Sequence, residues 1–193
     1  MGLLLILAAL RTFSIDGGAS SAQAHVGKTG LGSFAGHEHL VLAQNIQGEV
    51  ALDPEDLPKS SVDLIVDARS LEVSPEGEPN DDAPKVQQVM RGPEVLDTAR
   101  FGTIHFGSTS VSGRQVSAGV FDLVVTGELS LHGVVKPLTL PVHVEVRGSS
   151  LVASGKFTVK QTDFGIEPTS AAGGLVKVAD EVGLSFRLAA RAP

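Results

Sequence analysis

The chain has 193 residues, a formal net charge of -7 and no cysteine, a length that fits one domain with a short appendage. The acidic balance leaves no surplus of Lys and Arg to neutralise phosphates, which argues against a nucleic-acid partner, and the missing thiols exclude disulfides and cysteine-based metal sites. With no Trp, no Tyr and 8 Phe, the core must come from Val, Leu, Ile and Ala, while 22 Gly and 10 Pro imply many turns between short strands.

Residues 1–10 carry the apolar run Leu3 to Leu10 (LLLILAAL). It is too short for a membrane-spanning helix, which needs roughly 20 residues, and resembles the apolar part of a secretory signal. No basic residue precedes it, and no Ala-x-Ala cleavage site follows before Arg11. Residues 1–10 therefore read as a truncated signal or an apolar structural segment, with the domain at 11–193. The signal reading implies a periplasmic or secreted protein.

A strand is expected near Ala22 to Val26, and another whose even positions Leu40, Leu42, Ile46, Val50 and Leu52 share one face. Before it stands His37-Glu38-His39. Two histidines two apart on a strand point the same way, a spacing found in β-barrel metal sites. The pair His37 and His39 is the metal-ligating candidate, with His25 or His105 as a conceivable third ligand. The alternative is a hydrogen-bonding pair at a strand edge. Parity sets both opposite Leu40 and Leu42, away from the apolar face if the strand is unbroken.

Alternation recurs in Val62, Leu64, Val66 and Ala68. The segment from Ser74 to Pro84 is acidic and rich in breakers, and reads as a mobile surface loop. Pro84 to Met90 reads as a helix with Pro in its first turn, and a further turn is expected from Pro93 to Asp97. After Ile104 and Phe106, the clearest pattern begins at Phe121: Leu123, Val125, Gly127, Leu129 and Leu131 alternate with polar partners. Beyond Gly133 it resumes in Leu138, Leu140, Val142, Val144 and Val146, so the two segments form a hairpin. Pro137 and Pro141 on the outward face of the second strand imply an edge, a bulge or a bend, because proline cannot donate to a ladder. Phe157 and Val159, then Leu184, Phe186, Leu188 and Ala190, repeat the alternation. About eight antiparallel strands with one apolar face each close as a barrel or stack as a sandwich.

Several segments resemble one family: SSVDLIVDARSLEV (60–73), VMRGPEVLDTARFGTIHFGSTSV (89–111), VTGELSLHGVVKPLTLPV (125–142), FTVKQTDFGI (157–166) and VADEVGLSFRLAA (178–190) are similar to YceI-like domains. The resemblance implies an all-β fold, an antiparallel eight-stranded lipocalin-like β-barrel with one short helical segment near 84–97. It also implies non-enzymatic binding of a polyisoprenoid or similar amphiphile inside the barrel, with no cofactor. Where the family's helix often carries Arg-Asp-x-His-Leu, this chain reads Lys85-Val86-Gln87-Gln88-Val89-Met90, so headgroup contacts from that motif do not transfer.

On this reading Phe106, Phe121, Leu123, Val125, Leu129, Leu138, Leu140, Val142, Phe157 and Phe186 line the lumen and hold the ligand. The alternative is that they pack on one another and leave no space. The expected partner is a long-chain apolar small molecule, with no nucleic acid and no stable membrane span; a homodimer is left open. Asp163-Phe164-Gly165 lacks every other kinase element, and the acid pairs Asp81-Asp82 and Asp180-Glu181 read as solvated turn residues. His132, in the hairpin turn, is expected to satisfy loop backbone groups.

Overall fold

The long alternating segments fold as antiparallel strands whose apolar faces all point to one interior. The computed structural model describes residues 10–29, 38–76, 78, 82–171 and 176–193. Its elements are β1 (Arg11–Ile15), β2 (Ser21–Thr29), β3 (His39–Ala43), β4 (Gln47–Leu52), β5 (Ser61–Asp67), β6 (Glu72–Val73), α1 (Ala83–Arg91), β7 (Thr103–Ser117), β8 (Val120–Leu131), β9 (Val134–Arg147), β10 (Ser150–Lys160), β11 (Ser170–Ala171) and β12 (Val176–Arg191).

Three pairs of short strands each act as one bent strand. β1 and β2 both lie along β12, through Ser14↔Arg191 and Ala22↔Phe186. β4 pairs with β1 and β5, while β3 pairs with β2 and β6. The ring then runs from β5 through β7, β8, β9 and β10 to β12. Eight strand positions close the barrel, with one helix, and closure removes free sheet edges. The β8–β9 hairpin turns at His132 and Gly133, with φ of 52° and 74°. Two successive positive φ values match the twist of the flanking strands, which is why glycine is needed there.

The two prolines of β9 shape the wall. β9 pairs with β8 without interruption from Val134 to Glu145, including Val124↔Pro141 and Glu128↔Pro137. An unbroken ladder through two residues without N–H requires both to face away from β8, toward β10. On that side pairing covers Ser150↔Arg147 to Ser154↔His143 and then stops, although both strands continue. The next hydrogen-bonded pair in register would join Pro141 to Lys156, and Pro141 has no donor to give. The strands part there and leave a fork.

One expectation of parity fails. Asn45 takes a φ of 57°, and the chain between β3 and β4 changes which side chains face inward. In β3 the interior is met by Val41 and Ala43, not Leu40 and Leu42; in β4 the even set Ile46, Val50 and Leu52 holds as expected.

One end of the barrel is solid. Phe13, Phe121, Leu151, Leu188 and Ala190 are buried together, with Phe13, Phe121 and Leu151 almost wholly inaccessible. At the other end, α1 lays Ala83 and Met90 on Val41, Leu71 and Val73. Phe164 and Ile166, from the 3-10 turn after β10, pack on Leu129 beside it.

Candidate functional site

Between the solid end and the helix lies an elongated cavity of about 340 Å³. Val144, Leu151 and Leu188 form its floor, and Met90, Leu96 and Phe164 its far end. Gln23, Ser60, Ser61, Gln161 and Ser185 contribute its polar edges, and among the described residues no charged side chain lines it. Strand periodicity explains this, since every second residue of eight strands faces inward and nearly all of these are aliphatic.

Of the ten residues expected to line the lumen, Phe106, Leu123, Val125, Leu129, Leu140, Val142, Phe157 and Phe186 do so. Phe121 instead belongs to the solid end, where it is 2% exposed. Leu138 sits in the satellite cluster around Phe164 and Ile166. Both face inward as the alternation requires, but neighbours cover them. Met90, Val95, Leu96, Phe164 and Ile166 also line the cavity and were missed. They come from a helix and turns, where no period of two marks the inward residue.

Room for the lumen comes from two inward glycines. A β-carbon on Gly127 would stand 2.7 Å from the Phe106 ring, and one on Gly155 would stand 2.8 Å from the Phe186 ring. Each ring lies back against the wall over a glycine and leaves the axis clear, a pairing known to stabilise strand glycines.

The histidines do not assemble. His37 lies outside the described residues. His39 faces inward, because the break at Asn45 reverses the parity expected for it. Its Nδ1 lies 2.6 Å from Glu78 Oε1, and the Glu78 side chain is 2% exposed. In the segment expected to be a mobile surface loop, two residues are anchored: Ser74 N–H donates to the Leu40 carbonyl at 2.8 Å, and Glu78 meets His39 of β3; residues 77 and 79–81 lie outside the described residues. His25 is exposed on β2, and His105 bonds Asp63 on the outer surface at 2.8 Å. Among the described residues no group of three His, Asp or Glu side chains is placed to hold a metal.

His132 Nδ1 lies 3.1 Å from the Phe164 carbonyl and its ring meets the Phe101 edge, tying the hairpin turn to the 3-10 turn. Asp180 and Glu181 sit within β12 rather than in a turn, at a bulge between Val178 and Val182. There the Asp180 carboxylate accepts from Thr162 N–H and Oγ1–H, both at 2.9 Å. Gln87 of α1 accepts from Val73 N–H at 2.6 Å and donates to the Leu71 carbonyl at 2.8 Å, so the altered helix motif holds the end of β6.

The comparisons with known proteins agree with this geometry. A UPF0312 protein of Shewanella denitrificans is 40% identical over 86 residues, which are 40% of this chain and 42% of that protein. A second, from Shewanella oneidensis, is 37% identical over 92 residues, 42% of this chain and 46% of its own. The matched segment thus spans less than half the length of these curated relatives. Among solved structures, BcnA of Burkholderia cenocepacia superposes with a TM-score of 0.68 at 19% identity, over 91% of this chain and 98% of that one. A polyisoprenoid-binding domain from Saccharophagus degradans gives 0.68 at 16% identity, over 96% and 100%. At those identities the likeness is one of fold. Among the described residues no helix is long and apolar enough to cross a membrane. The model of the YceI-like domain matches residues 13–190, and the chain belongs to that family.

Proposed function

We propose that the protein is a non-enzymatic carrier that holds a polyisoprenoid or similar slender amphiphile in the barrel lumen. The observation that carries this reading is the continuous uncharged cavity running from Leu151 at the solid end to Met90 at the helix. Its volume, about 340 Å³, lies at the lower end of the range for small-molecule sites, and its elongated shape suits a chain rather than a compact ring system. At ~0.3 kcal/mol per heavy atom, a tail of ~20 carbons gains about 6 kcal/mol and one of ~40 about 12 kcal/mol before ordering is counted. The second figure corresponds to nanomolar affinity. The Saccharophagus relative, described as polyisoprenoid-binding, supports the same ligand class. The apolar run at residues 3–10 supports action outside the cytoplasm.

Native mass spectrometry of the purified protein, followed by organic extraction, tests the reading. We expect a stoichiometric apolar chain, or uptake of an added polyprenyl alcohol. Val125→Trp fills the lumen and abolishes uptake. Val124→Trp, one residue along on the outer face, retains it. Failure of the unmodified protein to take up any polyprenyl chain overturns the proposal.

A further inference from the structure

The fork between β9 and β10 is a break in the barrel wall, and it is not empty of chemistry. A second cavity of about 450 Å³ occupies it. Leu123, Val142 and Phe186 line both this cavity and the lumen, so the two spaces meet at the Phe186 ring. The remaining wall is polar and belongs to the outer surface: Ser154 and Lys156 from β10, with Asp122 and His143 opposite. Asp122 is already engaged, its Oδ1 lying 2.8 Å from His143 Nδ1. Lys156 makes no ion pair among the described residues, and its ammonium faces the fork across from the Asp122–His143 pair.

The Lys156 ammonium and the Ser154 hydroxyl stand together at the outer mouth of an apolar passage, and a positive charge with an O–H donor forms a receptor for an anion.

From this geometry we infer that the fork is a headgroup site: it takes the anionic head, a carboxylate or phosphate, of an amphiphile whose tail passes beside Phe186 into the lumen. This rests on the carrier reading, since it needs a tail in the lumen. It adds an orientation, with the head at the side of the barrel rather than at the helix end. It also assigns a selectivity for acidic heads that the uncharged lumen does not provide.

The absence of cysteine makes the test direct. Ser154→Cys carries the one thiol and is labelled with bimane at the rim of the fork. Two stearates are added, one with a nitroxide beside its carboxylate and one with the nitroxide near its methyl end, and native mass spectrometry counts the stearate bound. We expect one stearate per chain and stronger quenching by the nitroxide beside the carboxylate. Lys156→Gln should weaken stearate binding about tenfold, as loss of one charge-assisted hydrogen bond does. Equal or reversed quenching with stearate bound places the head elsewhere and overturns the headgroup site alone. No stearate bound by an unlabelled protein that still takes up a polyprenyl alcohol overturns the headgroup site alone, whereas refusal of both overturns the carrier reading and the headgroup site together.

Discussion

The ring of Phe186 lies across Gly155, with its Cζ 2.8 Å from where a β-carbon on that glycine would stand. The Pro141 carbonyl oxygen closes the same position from the other side at 2.7 Å. Gly155 has no positive φ, so space and not backbone conformation demands the glycine. The bore of the lumen is therefore set in the wall, by residues with no side chain.

Gly155→Ala pushes the Phe186 ring toward the axis or Pro141 outward. We expect a loss of about 1–3 kcal/mol, as for overpacked cores, measured by urea unfolding. Phe186→Leu in the same chain should recover part of it. Strict additivity of the two changes would show that ring and glycine are not coupled.

Pro141→Thr gives β9 a donor opposite Lys156. The ladder should gain one hydrogen bond, from the new N–H at position 141 to the Lys156 carbonyl, raising stability by about 0.5–1.5 kcal/mol, and that new amide should be protected from deuterium exchange. Unprotected exchange at position 141 would mean that something other than the missing N–H ends the ladder.

The bond from Thr162 N–H to Asp180, with help from the Thr162 hydroxyl, holds the Asp180 carboxyl below the usual carboxylate range. A lowered folded-state pKa means that the unfolded chain binds the proton first as the pH falls. The stabilisation is complete above the ordinary carboxylate pKa and is lost as pH drops through the lowered one. Asp180→Asn should therefore flatten the acid side of the stability–pH curve. Parallel curves for the two proteins below pH ~4 would contradict this.

His39→Ala removes the ring nitrogen 2.6 Å from a carboxylate that is 2% exposed. Breaking a buried polar contact of this kind costs about 1–3 kcal/mol. We expect the segment around Glu78 to become a site of early proteolysis while the β8–β9 hairpin stays protected. Equal protease resistance of both proteins would show that Glu78 is held by other contacts.

The barrel was legible because alternation survives wherever strands are long. Phe121 to Leu131 and Leu138 to Val146 were assigned to the correct face, residue by residue. The prolines at 137 and 141 announced an irregular strand, though not that its consequence would be a break in the wall. Parity failed at His39 because one residue, Asn45, took a left-handed conformation between two short strands, and a single such residue reverses every side chain before it. Phe121 shows a second limit. Periodicity says which way a side chain points, not whether its neighbours leave space there, so packed floor and open bore look alike in sequence.

The same strand that pairs with β10 also pairs with the start of the domain: Ser14 meets Arg191, and Thr29 meets Lys177. These contacts join stretches separated by most of the chain, so ring closure carries the entropy of a very large loop and belongs among the slower folding events. A ribosome-bound chain lacking β12 has no lumen, however much of the sheet has formed. It instead presents β2 and β10 as unsatisfied edges that other unfinished chains can join. Ligand capacity therefore arrives in one step, when β12 becomes available to pair, and the newly made protein is most prone to aggregate just before that step.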